Sequence, residues 1–327
     1  MDLDLRLVRY FVAVAEELHF GRAATKLHVS QPALSRDVRK LETQIGSALL
    51  VRNTRHVQLT SRGQDFLLDA REVLRLAERM QRPSDSKRVR IAHIFELATS
   101  RIVTDAYSRA RPEVQLIEQA MDSVTQLNAL LDDHLDVAIL RVTPQMLVDH
   151  PKGWYHTLLR LEPMRLIGRP GDPPRPTVSL FERPIEVFAY TRDSGLYNAH
   201  GSYLSAFERD AGITMQWLGT PGAFSHCLAM MKRATTSAFL LEFDSYARRY
   251  DNEGIAVHDP QEVRPVYPWS IAWRDGQLRP ATADFLEIAH ETASASNWRS
   301  FEPGSSPTWV PADDPVAQEI LSAKQSP

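Results

Sequence analysis

The apolar positions near the start of the chain repeat at helical spacing. Leu7, Phe11, Val14, Ala15 and Leu18 fall at i, i+4, i+7, i+8 and i+11, a stripe along one helix face. A short second helix is predicted from Gly21 to Leu27, with Ala23, Ala24 and Leu27 on its buried side. Next comes His28-Val29-Ser30-Gln31-Pro32, where Ser30 suits an N-cap and Pro32 fits the first helical turn. Leu34, Val38, Leu41 and Ile45 repeat at i, i+4, i+7 and i+11 until Gly46 stops the helix. Two β-like runs, Ala48–Val51 and His56–Leu59, flank a basic tip at Asn53-Thr54-Arg55. Thr60 or Ser61 can cap a further helix running to Met80. Its apolar positions Phe66, Ala70, Val73, Ala77 and Met80 are spaced 4, 3, 4, 3, the seam of a two-heptad coiled coil.

Pro83-Ser84-Asp85-Ser86 reads as a polar hinge, placed at 83–88. Beyond it strands and helices alternate: strand Val89–Ile94, helix Thr99–Ala110, strand Val114–Glu118, helix Val124–Asp133, strand Asp136–Arg141. A second set follows: strand Glu186–Thr191, helix His200–Ala211, strand Met215–Leu218, helix Ala223–Lys232, strand Ser237–Glu242, then strand Val266–Trp273 and helix Thr282–Ala295. This alternation predicts a largely parallel sheet covered by helices. After Trp298 the composition turns to Pro, Ser, Gly and acidic residues, which predicts a loosely ordered tail over 299–327.

Composition narrows the class. At 327 residues the chain holds two or three folding units, and 43% apolar with 24% charged residues is ordinary for a globular protein. It has no long uncharged apolar run and no signal-peptide stretch at its start, and Cys227 is its single cysteine. A reduced, cytoplasmic protein without a membrane span, disulfide or multi-cysteine metal site is expected. The net charge of −3 is uneven: residues 1–90 carry 17 Lys+Arg against 11 Asp+Glu, the remainder 21 against 30. The basic segment fits either a polyanion partner or a solvated face. Catalytic motifs such as Gly-x-Ser-x-Gly, a phosphate-cradling glycine loop or His-Glu-x-x-His do not occur, so no catalytic residue, metal ligand or cofactor is assigned. His226-Cys227 reads as helix packing.

Two short helices, a third with one polar side, and a basic hairpin make a winged helix-turn-helix. Gln31, Ser35 and Arg39 lie at i, i+4 and i+8, beside Pro32 and Arg36. Gln can bond adenine in two places, Arg can grip guanine, and Ser can meet base or phosphate. Ser30 opens a helix whose free backbone donors suit a phosphate, and Arg52, Asn53 and Arg55 suit phosphate or minor-groove contact. A solvated surface helix is the bland alternative at this point.

The segment from Leu7-Val8-Arg9-Tyr10-Phe11 to Leu59-Thr60-Ser61-Arg62-Gly63 resembles the DNA-binding domain of LysR-type transcriptional regulators. The resemblance rests on Arg22-Ala23-Ala24, Leu27 to Arg36, Leu41-Glu42, Ile45-Gly46 and Leu49-Leu50-Val51-Arg52. In that family, residues matching Gln31, Pro32, Ser35, Arg36 and Arg52 contact DNA. More weakly, Arg111-Pro112-Glu113-Val114, Leu135 to Arg141 and Ile271-Ala272-Trp273-Arg274 match its effector domain. The implied architecture is a mainly α winged helix-turn-helix over 1–60 and a dimerising linker helix over 61–82. A two-lobed α/β effector domain similar to periplasmic binding proteins follows over 89–298, lobe one at about 89–162 and 266–298, lobe two at about 163–265. The resemblance implies double-stranded operator DNA, a small-molecule effector, a homodimer or homotetramer and, for an activator, RNA polymerase as partners. Effector binding would change lobe closure and hence the spacing of the DNA heads. An α/β solute-binding or sensor module without sequence-specific DNA binding is the alternative.

An effector is expected beyond the carboxyl ends of the strands. The candidates are Glu96, Thr99, Ser100, Ser123 and Arg141 in lobe one, and Thr191 and Tyr197 in lobe two. Ser123 can equally cap its helix in a box with Gln126, and Arg141 fits an anionic effector or an ion pair between lobes. Glu96 stands where relatives carry a small or hydroxyl residue, and Thr235 to Glu242 replaces their glycine-rich entry. A Glu96–Arg141 pair bordering the effector is expected, since a buried unpaired charge is costly.

Overall fold

The computed structural model describes residues 3–52, 57–81, 87–194, 196, 198–219, 222–233, 237–300 and 306–317. Contacts divide the chain into two compact units, Met1–Asp85 and Ser86–Pro327. The first contains α1 (Leu5–Glu17), α2 (Phe20–Lys26), α3 (Gln31–Ile45), β1 (Leu50–Arg52), β2 (Val57–Leu59) and α4 (Ser61–Gln81). Its core joins Leu7, Phe11 and Val14 of α1 to Leu34, Val38 and Leu41 of α3. Phe66 of α4 closes it, edge-on to Phe11 with ring centroids 5.4 Å apart. Glu42 of α3 accepts from the backbone N–H of Leu49 and of Leu50, each at 3.0 Å, and so hangs the wing from the helix. The N-terminus of α4 is capped by Thr60, which accepts from Gly63 N at 2.8 Å. Gly63 has no substitute here, because a Cβ would lie 2.0 Å from Leu49 O.

The coiled-coil seam needs correcting. Phe66 and Ala70, with Leu74, are buried within unit 1 itself, while Val73 is 38% exposed. The stripe is real, but its first half serves the domain's own core. Ala77 is half-buried, and the side chain of Met80 lies outside the described residues.

Unit 2 opens with β3 (Arg88–His93), α5 (Ala98–Ala110), β4 (Gln115–Ala120), α6 (Ser123–Leu131), β5 (Val137–Leu140), α7 (Pro144–Asp149) and β6 (Trp154–Ile167). It continues with β7 (Thr177–Val178), β8 (Ile185–Val187), α8 (Ala199–Ala211), β9 (Met215–Trp217), α9 (Phe224–Arg233), β10 (Phe239–Phe243) and α10 (Asp244–Asp251). The last described elements are β11 (Val257–Pro260), β12 (Arg264–Arg274), α11 (Pro280–Ala295) and β13 (Thr308–Trp309). The main sheet runs β4-β3-β5-β12-β6-β10-β8-β9. β4-β3-β5 and β10-β8-β9 are parallel sets, and the antiparallel strands β12 and β6 join them into two lobes. β6 pairs with β12 as far as Pro163 and with β10 from Met164 onward, so the lobes meet along this strand.

β6 was not foreseen from the sequence. Arg160 and Glu162 interrupt its apolar run, yet both are buried and 3.5 Å apart. The expectation of a loose tail fails for residues 306–317. β13 pairs with β12 at Arg264 and Pro265, Val310 and Ala317 are buried, and Trp309 stacks on Tyr203 and Phe207. Composition alone hid these contacts, because only a few of the segment's residues, Trp309, Val310 and Ala317 among them, carry the packing.

Candidate nucleic-acid interface and effector cleft

In α3 the Ser30 side chain accepts from Ala33 N at 3.4 Å, and Pro32 occupies the first turn. With Leu34, Val38 and Leu41 buried, the opposite side presents Gln31, Pro32, Arg36 and Arg39 to solvent, with Ser35 half-buried beside them. Arg36 and Arg39 make no ion pair among the described residues, so both guanidinium groups are available. By contrast Arg22 and Lys26 are taken up by Glu17. Gly46, at φ +74°, ends α3 and turns the chain toward the wing. Arg52 ends β1, its side chain outside the described residues, as are Asn53 and Arg55 altogether.

In unit 2, Ser123 and Arg141 come together: the Arg141 backbone N–H donates to Ser123 Oγ at 3.2 Å. Ser123 is free to do this because Asp122, not Ser123, caps α6, accepting from Val124 N and Thr125 N at 3.0 and 3.1 Å. The capping box with Gln126 is therefore not formed; Gln126 Nε2 donates to Met121 O instead. Thr99 is buried and accepts from Arg160 Nη1 at 2.9 Å, while Ser100 Oγ donates to Leu97 O at 2.7 Å. Glu162, next to Arg160, holds Trp269 Nε1 at 2.7 Å and Ser245 N at 3.1 Å.

The Glu96–Arg141 pair does not form. Glu96, at φ +55°, turns its carboxylate toward lobe two. There Arg249 Nη1 lies 2.8 Å away and Phe224 N, at the start of α9, donates at 3.3 Å. The Arg249 guanidinium lies over the Phe224 ring, 3.9 Å from its centroid, which fixes it for the carboxylate. Arg141 donates instead from Nη1 to Ala199 O, elsewhere in lobe two, at 3.2 Å. Thr191 is exposed, its carbonyl closing the 3-10 turn Arg192–Ser194, and Tyr197 lies outside the described residues.

A cavity of about 520 Å³ opens between the lobes, lined by His93, Glu96, Ser100 and Glu118 from lobe one and Ser245 and Arg249 from lobe two. His93 Nε2 lies 3.3 Å from Glu118 and Glu96 pairs with Arg249, while Arg101, which also lines the cavity, makes no ion pair among the described residues. Ser245 Oγ is buried without a hydrogen-bond partner. Behind the cavity, burial pushes the Glu242 carboxyl up to about 7, with the charge of Glu162 adding to the effect. Burial also pushes the Cys227 thiol up to about 11, which makes it a poor nucleophile. Ser245 and Arg249 were missed in the sequence because α10 was not recognised.

Among the described residues no helix is long and apolar enough to cross a membrane. Residues 5–64 match the sequence profile of the bacterial regulatory helix-turn-helix proteins of the lysR family, and residues 83–294 that of the LysR substrate binding domain. The chain is 55% identical over 318 residues to the Hca operon transcriptional activator HcaR of Escherichia coli, covering 88% of this chain and 98% of that one. It is 34% identical to the transcriptional regulator AlsR of Bacillus subtilis, over 88% of this chain and 96% of that one. Full-length OxyR from Pseudomonas aeruginosa shares the fold, with a TM-score of 0.55 at 20% identity over 90% of this chain and 95% of that one. With both domains matched in order across most of its length, the chain belongs to the LysR family of DNA-binding transcriptional regulators.

Proposed function

We propose that this regulator senses a small polar molecule in the cavity between α5 and α10. The observation that carries this reading is a space of about 520 Å³ lined from both lobes, in which Glu96 is already paired with Arg249 while Arg101 makes no ion pair among the described residues. Ser245 Oγ, lacking a partner, and Ser100 are the hydroxyls at hand. A molecule touching both lobes binds one lobe arrangement better than another and shifts the population accordingly. Thermal-shift screening of the full chain against small polar metabolites tests this. Hits should stabilise the protein by mass action and lose about tenfold in apparent affinity in both Ser245→Ala and Glu96→Gln. Hits unmoved by either substitution would put the effector elsewhere.

On DNA, Gln31 and Arg36 read base edges, and Ser30, Ser35 and Arg39 meet base or phosphate from the same helix side, with Pro32 packed at the groove entrance. Arg52, Asn53 and Arg55 hold phosphate from the wing. Val73, Ala77 and Met80 form the part of the α4 stripe that meets a second copy. HcaR is named as an operon activator, and the 55% identity along nearly its whole length supports an activating role here, with RNA polymerase as partner in the cytoplasm. A reporter driven by the chain's own upstream DNA should lose output, rather than gain it, when the protein is absent.

A further inference from the structure

Arg141 is 3% exposed, yet its guanidinium is incompletely satisfied. Nη1 donates to Ala199 O, the guanidinium carbon lies 5.4 and 5.7 Å from the ring centroids of Tyr203 and Tyr267, and Nε has no hydrogen-bond partner. The counter-charge comes from the 306–317 segment. Asp314, also 3% exposed, places Oδ2 3.8 Å from Arg141 Nη2, too far for a hydrogen bond, and that oxygen is itself unpartnered. The cause is local. Asp314 Oδ1 is tied down by its own turn, accepting from Val316 N at 3.3 Å and Ala317 N at 2.9 Å, which stops the carboxylate short of the guanidinium. A buried guanidinium normally takes a carboxylate in a close, two-point grip. Here the two charges face each other across an unmade pair of bonds.

We infer that Arg141 is a carboxylate-binding site at the junction of the lobes, held in this structure by the chain's own Asp314 as an internal ligand. An untethered carboxylate can approach closer than Asp314 and use the idle Nε and Nη2 donors together. To enter, it must displace the 306–317 segment, whose hold includes Trp309 against Tyr203 and Phe207. Two residues of β13 pair with β12, Ser306 Oγ donates to Pro260 O, and Val310 and Ala317 rest on Leu158, Leu161 and Val266. Short edge elements of this kind open at low free energy. Because Arg141 also binds Ala199 of lobe two, exchange of Asp314 for an outside carboxylate couples the segment to the contact between lobes. This site is separate from the cavity beside Glu96, and its test does not depend on that reading.

The experiment is chemical rescue in the full chain with acetate as probe and acetamide and sodium chloride as controls. Asp314→Ala leaves a carboxylate-sized gap against Arg141 and should melt below the parent. Acetate should restore it saturably, by about 4 °C at ten times its half-saturating concentration. The double variant Asp314→Ala with Arg141→Met should show no rescue, and neither should acetamide. Asp314→Asn, which keeps the shape, serves if the alanine variant does not fold: the amides of Thr308, Trp309 and Val310 should then exchange about tenfold faster than in the parent. Acetate acting equally on the single and double variants, or no rescue together with unchanged exchange in Asp314→Asn, would overturn the inference.

Discussion

His200 and Glu242 are partly buried titratable groups whose effects on stability run in opposite directions with pH. Burial pushes His200, whose ring lies against Phe243 and Tyr267, down to about 4. Between pH 6.5 and 4 the unfolded chain therefore binds the extra proton, and stability falls as pH drops, by roughly 3 kcal/mol in all. Glu242, raised to about 7, binds its proton in the folded state first, so its contribution is lost as pH climbs from 4.5 to 7, again by roughly 3 kcal/mol. The two nearly cancel in the parent. Denaturant unfolding across this range should show Glu242→Gln more stable than the parent above pH 7, and His200→Phe gaining on it below pH 6. Profiles parallel to the parent's would contradict the burial of both groups. Gly63→Ala tests sterics instead: with Leu49 O only 2.0 Å from the new methyl, a loss of about 2 kcal/mol or more is expected in thermal unfolding. At this scale the sequence shows which residues carry charge but not whom they meet. Glu96 could be read as needing a cation, yet nothing in the chain order favours Arg249, 153 positions away, over Arg141.

The helices were the most legible elements. α3 shows its buried and exposed sides in its spacing, because one helix face packs on α1 and the other faces water. β6 was illegible for the opposite reason: its buried Arg160 and Glu162 pair with each other and Arg160 donates to Thr99 of α5, a pairing that needs a second, distant segment. α4 lies between these cases. Its stripe was visible, but not that Phe66 and Ala70 belong to the domain core. The two halves of the stripe should thus separate experimentally. Val73→Glu, at an exposed position, should leave the monomer's melting nearly unchanged while sedimentation shows a weakened dimer, since the charge would sit unpaired in an apolar seam. Phe66→Ala should instead destabilise folding by about 3–5 kcal/mol. A dimer unaffected by Val73→Glu would show that assembly uses another surface.

For the whole molecule, the order of domains was readable from motifs in the first 60 residues, while the effector cleft was only partly so. The residues proposed to read bases are contiguous on one helix; the cavity is assembled from strands and helices scattered between His93 and Arg249. The central claim is that α3 reads a specific sequence. Its most direct measurement is the affinity of the full chain and of Arg36→Ala for DNA upstream of its own coding sequence and for random duplex, across a range of salt. The account predicts a loss of roughly 1–3 kcal/mol on the upstream site, with binding to random DNA and its salt dependence little changed. Equal losses on both DNAs would contradict it.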